Sequence, residues 1–270
     1  MQALTRMIAP LPRHFDRYVA IGDSSTEGLD DPDGRGGYRG WSARLAERIA
    51  EAQGSLLYAN LAIRGRTTRE IRERQLGPAL AMRPDLATVF SGTNDVIARR
   101  FDPAAVGRDM EAMQRAFVAL GATVLTFTLP DLTPVMPVAR FVAPRVRALN
   151  QALRAAASRS GATLIDFAAQ PVGSDPRLWS DDRIHANAAG HVRIAEALAH
   201  ALALPGADDT WKRPLPKLPP IRRREQIASE IAWMRGHLIP WTWQGVRARF
   251  VARDERRPKQ PQLQPVRPGA

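Results

Sequence analysis

The sequence predicts an α/β domain, a parallel sheet flanked by helices, over residues 1–205, followed by a basic extension over residues 206–270. Three observations carry this. Short apolar runs rich in Val, Leu, Ile and Thr alternate with stretches of helical periodicity. Gly121 and Gly161 stand where helices should stop, just ahead of the next apolar run. The composition also changes near Pro205–Gly206. Residues 206–270 hold 14 Lys/Arg against 6 Asp/Glu, a net of +8 out of the chain's +12, with four of the six tryptophans and nine of the 22 prolines.

Taken in order, strands are expected at Tyr18–Ile21, Leu56–Leu61, Leu86–Phe90, Val124–Thr128 and Thr163–Phe167. Their nearly continuous apolar character suits strands covered on both faces. Helices are expected around 41–53, 67–82, 103–120, 140–159 and 187–203. In the extension, residues 221–238 fit a helix with Ile227, Ile231, Met234 and Leu238 along one stripe and Arg222, Arg223, Arg224 and Arg235 nearby, ended by Pro240-Trp241-Thr242-Trp243. Residues 254–270, with four prolines and few apolar groups, are expected to be disordered.

Composition sets outer bounds on function. With 44% hydrophobic and 24% charged residues the chain is ordinary for a globular protein. No apolar run reaches the roughly 18 residues of a membrane-spanning helix. There is no cysteine, so disulfides, thiolate metal sites and cysteine nucleophiles are excluded. Arg6, Pro10, Pro12, Arg13, Asp16 and Arg17 interrupt the first twenty residues, which therefore do not read as a secretory signal, and a cytoplasmic location is expected.

In open parallel sheets ligands bind beyond the carboxyl ends of the strands. Three candidate segments follow expected strands. Gly22-Asp23-Ser24-Ser25-Thr26-Glu27-Gly28 places a serine at a strand-to-helix turn, where its hydroxyl stands exposed and the local backbone amides can face a developing oxyanion. It lacks the glycine spacing of a dinucleotide fingerprint. Asn60 to Thr68 contains Gly65, whose backbone N–H a ligand can approach closely. Ser91-Gly92-Thr93-Asn94-Asp95 offers the Asn94 amide, a donor that needs no change of charge. A fourth segment, Asp182-Arg183-Ile184-His185, lets a carboxylate accept the imidazole Nδ1–H within one turn and leaves Nε2 free as a base. Each has a plain structural alternative: Ser24 with Glu27, and Thr67 with Glu70, as capping boxes; Asn94 as a turn residue; Asp182 and His185 as a surface pair. His191, in the helix after the last segment, reads as structural.

Together the four segments resemble the SGNH hydrolases, the GDSL-type esterases and lipases, over residues 17–203. Gly22-Asp23-Ser24 is similar to the family's nucleophile block, Gly65 to its glycine, Gly92-Thr93-Asn94-Asp95 to its GxND block and Asp182-Arg183-Ile184-His185 to its DxxH block. Ser25 stands where the family usually has leucine, which bears on local packing rather than chemistry. The resemblance implies a flavodoxin-like three-layer α/β/α fold with five parallel strands in the order 2-1-3-4-5. It implies Ser24 as nucleophile, His185 as base, Asp182 as its orienting carboxylate, and an oxyanion hole made by Ser24 N–H, Gly65 N–H and the Asn94 amide. It implies neither metal nor organic cofactor. The expected activity is hydrolysis of a small or lipid-like ester through an acyl-enzyme. Acyl transfer, and a non-catalytic lipid- or carbohydrate-binding member of the same fold, are the alternatives. The Gly-rich stretch 29–40 and the irregular stretch Pro130–Pro144 are candidate borders of the substrate pocket. For the extension, residues 221–257 suit either packing on the domain or an anionic membrane surface. No recognition motif accompanies the charge, so a nucleic-acid partner is not expected.

Overall fold

A computed structural model of the chain describes residues 13–217, 224, 230–238 and 257–266. β1 (Arg17–Gly22) opens the sheet and is followed by a single helical turn, α1 (Ser24–Glu27), and then α2 (Gly40–Gln53). β2 (Leu57–Asn60) leads to α3 (Thr68–Arg74) and α4 (Leu76–Ala81), β3 (Leu86–Phe90) to α5 (Thr93–Ile97) and α6 (Pro103–Ala119). β4 (Thr123–Phe127) precedes α7 (Ala143–Ser160), and β5 (Thr163–Ile165) precedes 3₁₀ turns and α8 (Ala188–Ala201). The long helix expected over 67–82 is interrupted at Gln75. Pro78 has no N–H for the Arg74 carbonyl and its ring crowds that carbonyl, so the helix stops one turn earlier and restarts.

The sheet order is β5-β4-β3-β1-β2-β6, with the first five strands parallel, as expected, and a sixth strand added at the β2 edge. Alternate residues of β1 feed opposite faces. Tyr18 and Ala20 join Trp41, Leu45, Ile49 and Leu198 of α2 and α8 on one side, and Val19 and Ile21 join Ile71, Met110, Phe117, Leu149 and Leu153 of α3, α6 and α7 on the other. These are the three layers. Every residue of β3 is buried, which is why its sequence shows no polar alternation.

The sixth strand corrects an expectation. β6 (Gln260–Pro265), placed by composition in a disordered end, pairs antiparallel with β2 through Leu57↔Pro265, Tyr58↔Gln264 and Asn60↔Gln260, with an irregularity between Tyr58 and Asn60. An edge strand needs only backbone pairing on one side, and there prolines are tolerated. Leu263 and Val266 add apolar contact, one to each core. Trp211, beyond the boundary expected at Pro205–Gly206, is buried with its ring 5.4 Å from that of Phe167.

Of the helix expected over 221–238, residues 224 and 230–238 are described, with Met234–Leu238 forming a π-helical turn. Ile227, Arg222, Arg223, Pro240, Trp241 and Trp243 lie outside the described residues. Ile231 and Met234 are exposed, whereas Trp233 is buried. No helix among the described residues is long and apolar enough to cross a membrane.

Candidate active site

All four segments singled out in the sequence converge at the carboxyl edge of the sheet. Ser24 begins α1 directly after β1. The residue capping this turn is Asp23, whose side chain accepts from Ser25 N–H at 3.1 Å, so Ser24 is left uncommitted to the cap. Glu27 does not complete a capping box on Ser24. It accepts from the backbone N–H of Arg64 at 2.9 Å and pairs with the Arg64 guanidinium, tying the nucleophile turn to the loop that carries Gly65. The turn is fastened from beneath as well. The Thr26 carbonyl accepts from Asn60 Nδ2 at 2.7 Å and Ser42 Oγ at 3.0 Å, and buried Gln75 exchanges two 2.9 Å hydrogen bonds with the backbone of Gly22.

His185 spans the gap between acid and nucleophile. Its Nε2 lies 2.8 Å from Ser24 Oγ and its Nδ1 2.6 Å from Asp182 Oδ2. Both contacts are satisfied when Nδ1–H donates to the carboxylate and Nε2 accepts the serine hydroxyl proton. Asp182 is itself held by its other oxygen, which accepts from Ser180 Oγ at 2.6 Å and from the N–H groups of Ile184 and His185 at 2.8 and 3.0 Å. Burial alone would raise the Asp182 pKa, but the hydrogen bond and charge of His185 outweigh it and hold the carboxyl well below its ordinary range. Burial alone would lower the His185 pKa. The hydrogen bond and charge of Asp182, with the charges of Asp30 and Asp23, overcome it and leave the imidazole raised.

The oxyanion candidates are joined to the same turn. Asn94, at the start of α5, donates from Nδ2 to the Arg66 carbonyl at 3.0 Å and to Asp23 Oδ2 at 3.3 Å, bridging the Gly65 loop and the nucleophile turn. Gly65 has φ +78°, a conformation that glycine alone adopts without strain, and this sets the direction of its N–H. Thr67 caps α3 with a capping box through Glu70, as the spacing suggests, and Thr68 donates from its N–H and Oγ1 to Asp95 at 2.9 Å. Asp23 is 1% exposed, and burial pushes its carboxyl up to about 6.

Some participants carry no motif. Asp30, inside the Gly-rich stretch 29–40, places Oδ2 3.8 Å from His185 Nδ1, on a backbone with φ +65°. The stretch is held by Asp31, which accepts from Arg44 Nε at 2.7 Å and Gly40 N–H at 2.9 Å. Its ends meet where Gly28 and Gly40 approach so closely that a Cβ on either would collide with the other's backbone. His191 is structural, as expected: it is fully buried, with Nδ1 accepting from Trp41 N–H at 3.1 Å and Nε2 facing the Leu29 carbonyl at 2.9 Å. Among the described residues, Asp30, Asp182 and His185 are the one group of His and carboxylates spaced closely enough to hold a metal. In the arrangement seen, Nδ1 of His185 is engaged by Asp182.

An apolar cavity of about 480 Å³ opens beside this constellation. Ser25, Thr93 and Ile184, immediate neighbours of Ser24, Asn94 and His185, line it together with Phe90, Phe127, Leu132, Val142 and Val146. Residues from the Pro130–Pro144 stretch form one wall, whereas the other expected border, the Gly-rich stretch 29–40, contributes no lining residue.

The model of the GDSL-like lipase/acylhydrolase family matches residues 20–193. A GDSL lipase of Mycobacterium tuberculosis is 29% identical over 194 residues, 69% of this chain and 81% of that protein. The crystal structure of TesA superposes with a TM-score of 0.58 at 25% identity, covering 69% of this chain and 98% of TesA. That of a lipase/acylhydrolase from Enterococcus faecalis superposes with a TM-score of 0.57 at 21% identity, covering 76% of this chain and 100% of its own.

Proposed function

Since this chain belongs to the GDSL-like lipase/acylhydrolase family, we propose that it is a serine ester hydrolase acting through an acyl-enzyme on esters of lipid-like acyl chains. The observation that carries the chemistry is the continuous relay of Asp182, His185 and Ser24, with contacts of 2.6 and 2.8 Å. Ser24 Oγ attacks the ester carbonyl carbon as His185 Nε2 takes the hydroxyl proton. Asp182 keeps the ring oriented and offsets its positive charge. The electron pair displaced onto the carbonyl oxygen is met by the N–H groups of Ser24 and Gly65 and by the Asn94 amide, which gives up its longer, 3.3 Å contact with Asp23. Collapse of the tetrahedral intermediate breaks the bond to the alcohol, which leaves with the proton from Nε2. Water then adds to the acyl-enzyme, giving its proton to Nε2 and releasing the acid, and Ser24 recovers the proton.

The cavity supports this choice of substrate class. At the roughly 30 Å³ that a water-sized group occupies in a liquid, a volume of about 480 Å³ sets an upper bound of about 16 methylenes on a linear chain. Burying each should contribute about 0.8 kcal/mol, or a factor of roughly 4 in kcat/KM. A series of aryl esters from acetyl to palmitoyl tests this. The expected result is a rise in kcat/KM over the medium chain lengths and then a plateau, with Val146→Trp cutting the optimum short. A flat series, or one best at acetyl, overturns the acyl assignment. Labelling by a fluorophosphonate that is lost in Ser24→Ala tests the nucleophile separately, and product analysis with an added alcohol distinguishes hydrolysis from acyl transfer.

A further inference from the structure

The turn that holds Asp182 and His185 is braced from outside by the C-terminal extension. Arg183, between the two, has φ +61°, a left-handed backbone that arginine seldom adopts. Its N–H donates to the Ser180 carbonyl at 2.9 Å, inside the turn, but its side chain leaves the turn altogether. The guanidinium donates from Nη1 to Glu230 Oε1 at 2.7 Å and lies 4.8 Å from the ring centre of Trp233. Arg183 and Glu230 side chains are 16% and 29% exposed, and Trp233 is 7% exposed, so the cation is held between a carboxylate and an indole largely out of solvent. Ile184, the next residue, lines the acyl cavity. The match to the family model ends at residue 193, so Glu230 and Trp233 belong to a part of this chain outside the matched region.

We propose that Glu230 and Trp233 are positioning residues which, through Arg183, hold the Asp182–His185 turn in register with Ser24, making the extension part of the catalytic apparatus. The proposal rests on the serine-hydrolase reading above. The physical case is one of leverage. Among the described residues, every other hydrogen bond to Asp182, from Ser180, Ile184 and His185, lies within the same six residues. Such a turn is ordered by its own bonds, and the Trp179↔Ala186 bridge closes its base. Arg183 anchors it to a separate element, and displacement of an imidazole by an ångström or less is enough to degrade proton transfer.

The experiment uses the full chain with Glu230→Gln, Trp233→Ala, Trp233→Phe and Arg183→Gly, the last keeping the left-handed backbone while removing the anchor. On a short aryl ester, Trp233→Ala, Glu230→Gln and Arg183→Gly should each lower kcat by about tenfold with KM changed less than twofold, as expected for loss of alignment rather than of binding. Trp233→Phe, which keeps an aromatic face for the guanidinium, should recover most of the rate. The acid limb of the profile should move to lower pH in the three weakened variants. Asp182, Asp30, Asp23 and His191 surround His185 electrostatically, and a loosened turn weakens the Asp182 contribution first. A lower Tm with unchanged kcat and unchanged acid limb would show a merely structural role and overturn the proposal. Should Trp233→Ala fail to fold, Glu230→Gln and Trp233→Phe decide it. The rate of fluorophosphonate labelling at Ser24 separates the two readings: unlabelled wild type defeats the serine-hydrolase reading and this proposal with it, whereas normal labelling with unaltered variants defeats this proposal alone.

Discussion

The five parallel strands and the sixth, antiparallel one are built from opposite kinds of sequence. β3 reads Leu-Ala-Thr-Val-Phe and is buried along its whole length, because helices cover both faces. β6 reads Gln-Pro-Gln-Leu-Gln-Pro, is mostly exposed, and is held by backbone pairing to one neighbour. Burial on two faces writes an apolar run into the sequence, whereas pairing along one edge writes almost nothing. The same contrast runs through the site. The parallel strands deliver Ser24, Gly65 and Asn94 at their ends. The extension meets the turn of Asp182 and His185 by single side chains, Glu230 and Trp233 on Arg183, and meets the start of α2 by Lys259, whose Nζ donates to the Arg39 carbonyl at 2.7 Å. If the chemistry belongs to the parallel part and alignment to the extension, substitutions should fall in a definite order of size.

The largest effect is expected at Ser24. Ser24→Ala removes the atom that forms the bond to the acyl group and should lower kcat by about 10⁶-fold, measured by aryl-ester turnover under single-turnover conditions. Retention of even a hundredth of the rate would move the chemistry elsewhere. Asn94→Ala comes next. It removes one oxyanion donor and should cost about 10²–10³ in kcat, with KM little changed. Because Asn94 also bridges Arg66 and Asp23, its Tm must be measured in parallel. A loss in KM instead of kcat would make Asn94 a binding residue.

Asp30→Asn sharpens the comparison at a smaller scale, since Asp30 comes from the loop after α1 and carries no motif. The active base is neutral His185, so rate rises with pH through the His185 titration. The imidazole pKa is raised, with Asp182 the main charge acting upward and Asp30 a lesser one, so the acid limb lies above the ordinary histidine value of about 6.5. Removing the Asp30 charge should move that limb to lower pH. For a carboxylate more than a third exposed the coupling is about 0.2–1 kcal/mol, a shift of a few tenths of a unit. A shift to higher pH in a pH–kcat/KM profile would exclude Asp30 as a partner of the imidazole.

These effects also mark what the sequence could and could not reveal. Ser24, Gly65, Asn94, Asp182 and His185 are legible as a cluster because their segments each follow a strand or sit at fixed spacing in one turn; of the structural alternatives, the Ser24–Glu27 capping box does not form, whereas that of Thr67 and Glu70 does. Asp30 was not, because its proximity to His185 is created by the Gly28–Gly40 contact and the Asp31–Arg44 pair, which fold the loop back. Gln75 was hidden inside an expected helix, where its two bonds to Gly22 have no sequence signature. The break beside it was legible in principle from Pro78. β6 was misjudged because proline and glutamine content reports the absence of a two-sided core, not the absence of order.

The smallest expected effect tests that last distinction. If β6 is an ordered edge, Leu263 is its one apolar anchor on the face that packs against the core containing Ile71 and Met110, while Val266 serves the other face. Leu263 is only partly buried, so Leu263→Ala should cost about 1 kcal/mol, less than a fully buried leucine would. The loss should appear in chemical denaturation without a change in kcat, since no atom of β6 approaches Ser24 or His185 through any contact described above. A matched substitution of exposed Gln262, on the same strand, should be neutral within about 0.5 kcal/mol. Equal, null effects at both positions would mean that the strand contributes nothing to the folded state and that its pairing with β2 does not persist in solution. A large loss of kcat at Leu263 would instead carry the extension's influence to the site along the sheet edge, a route distinct from the one through Arg183.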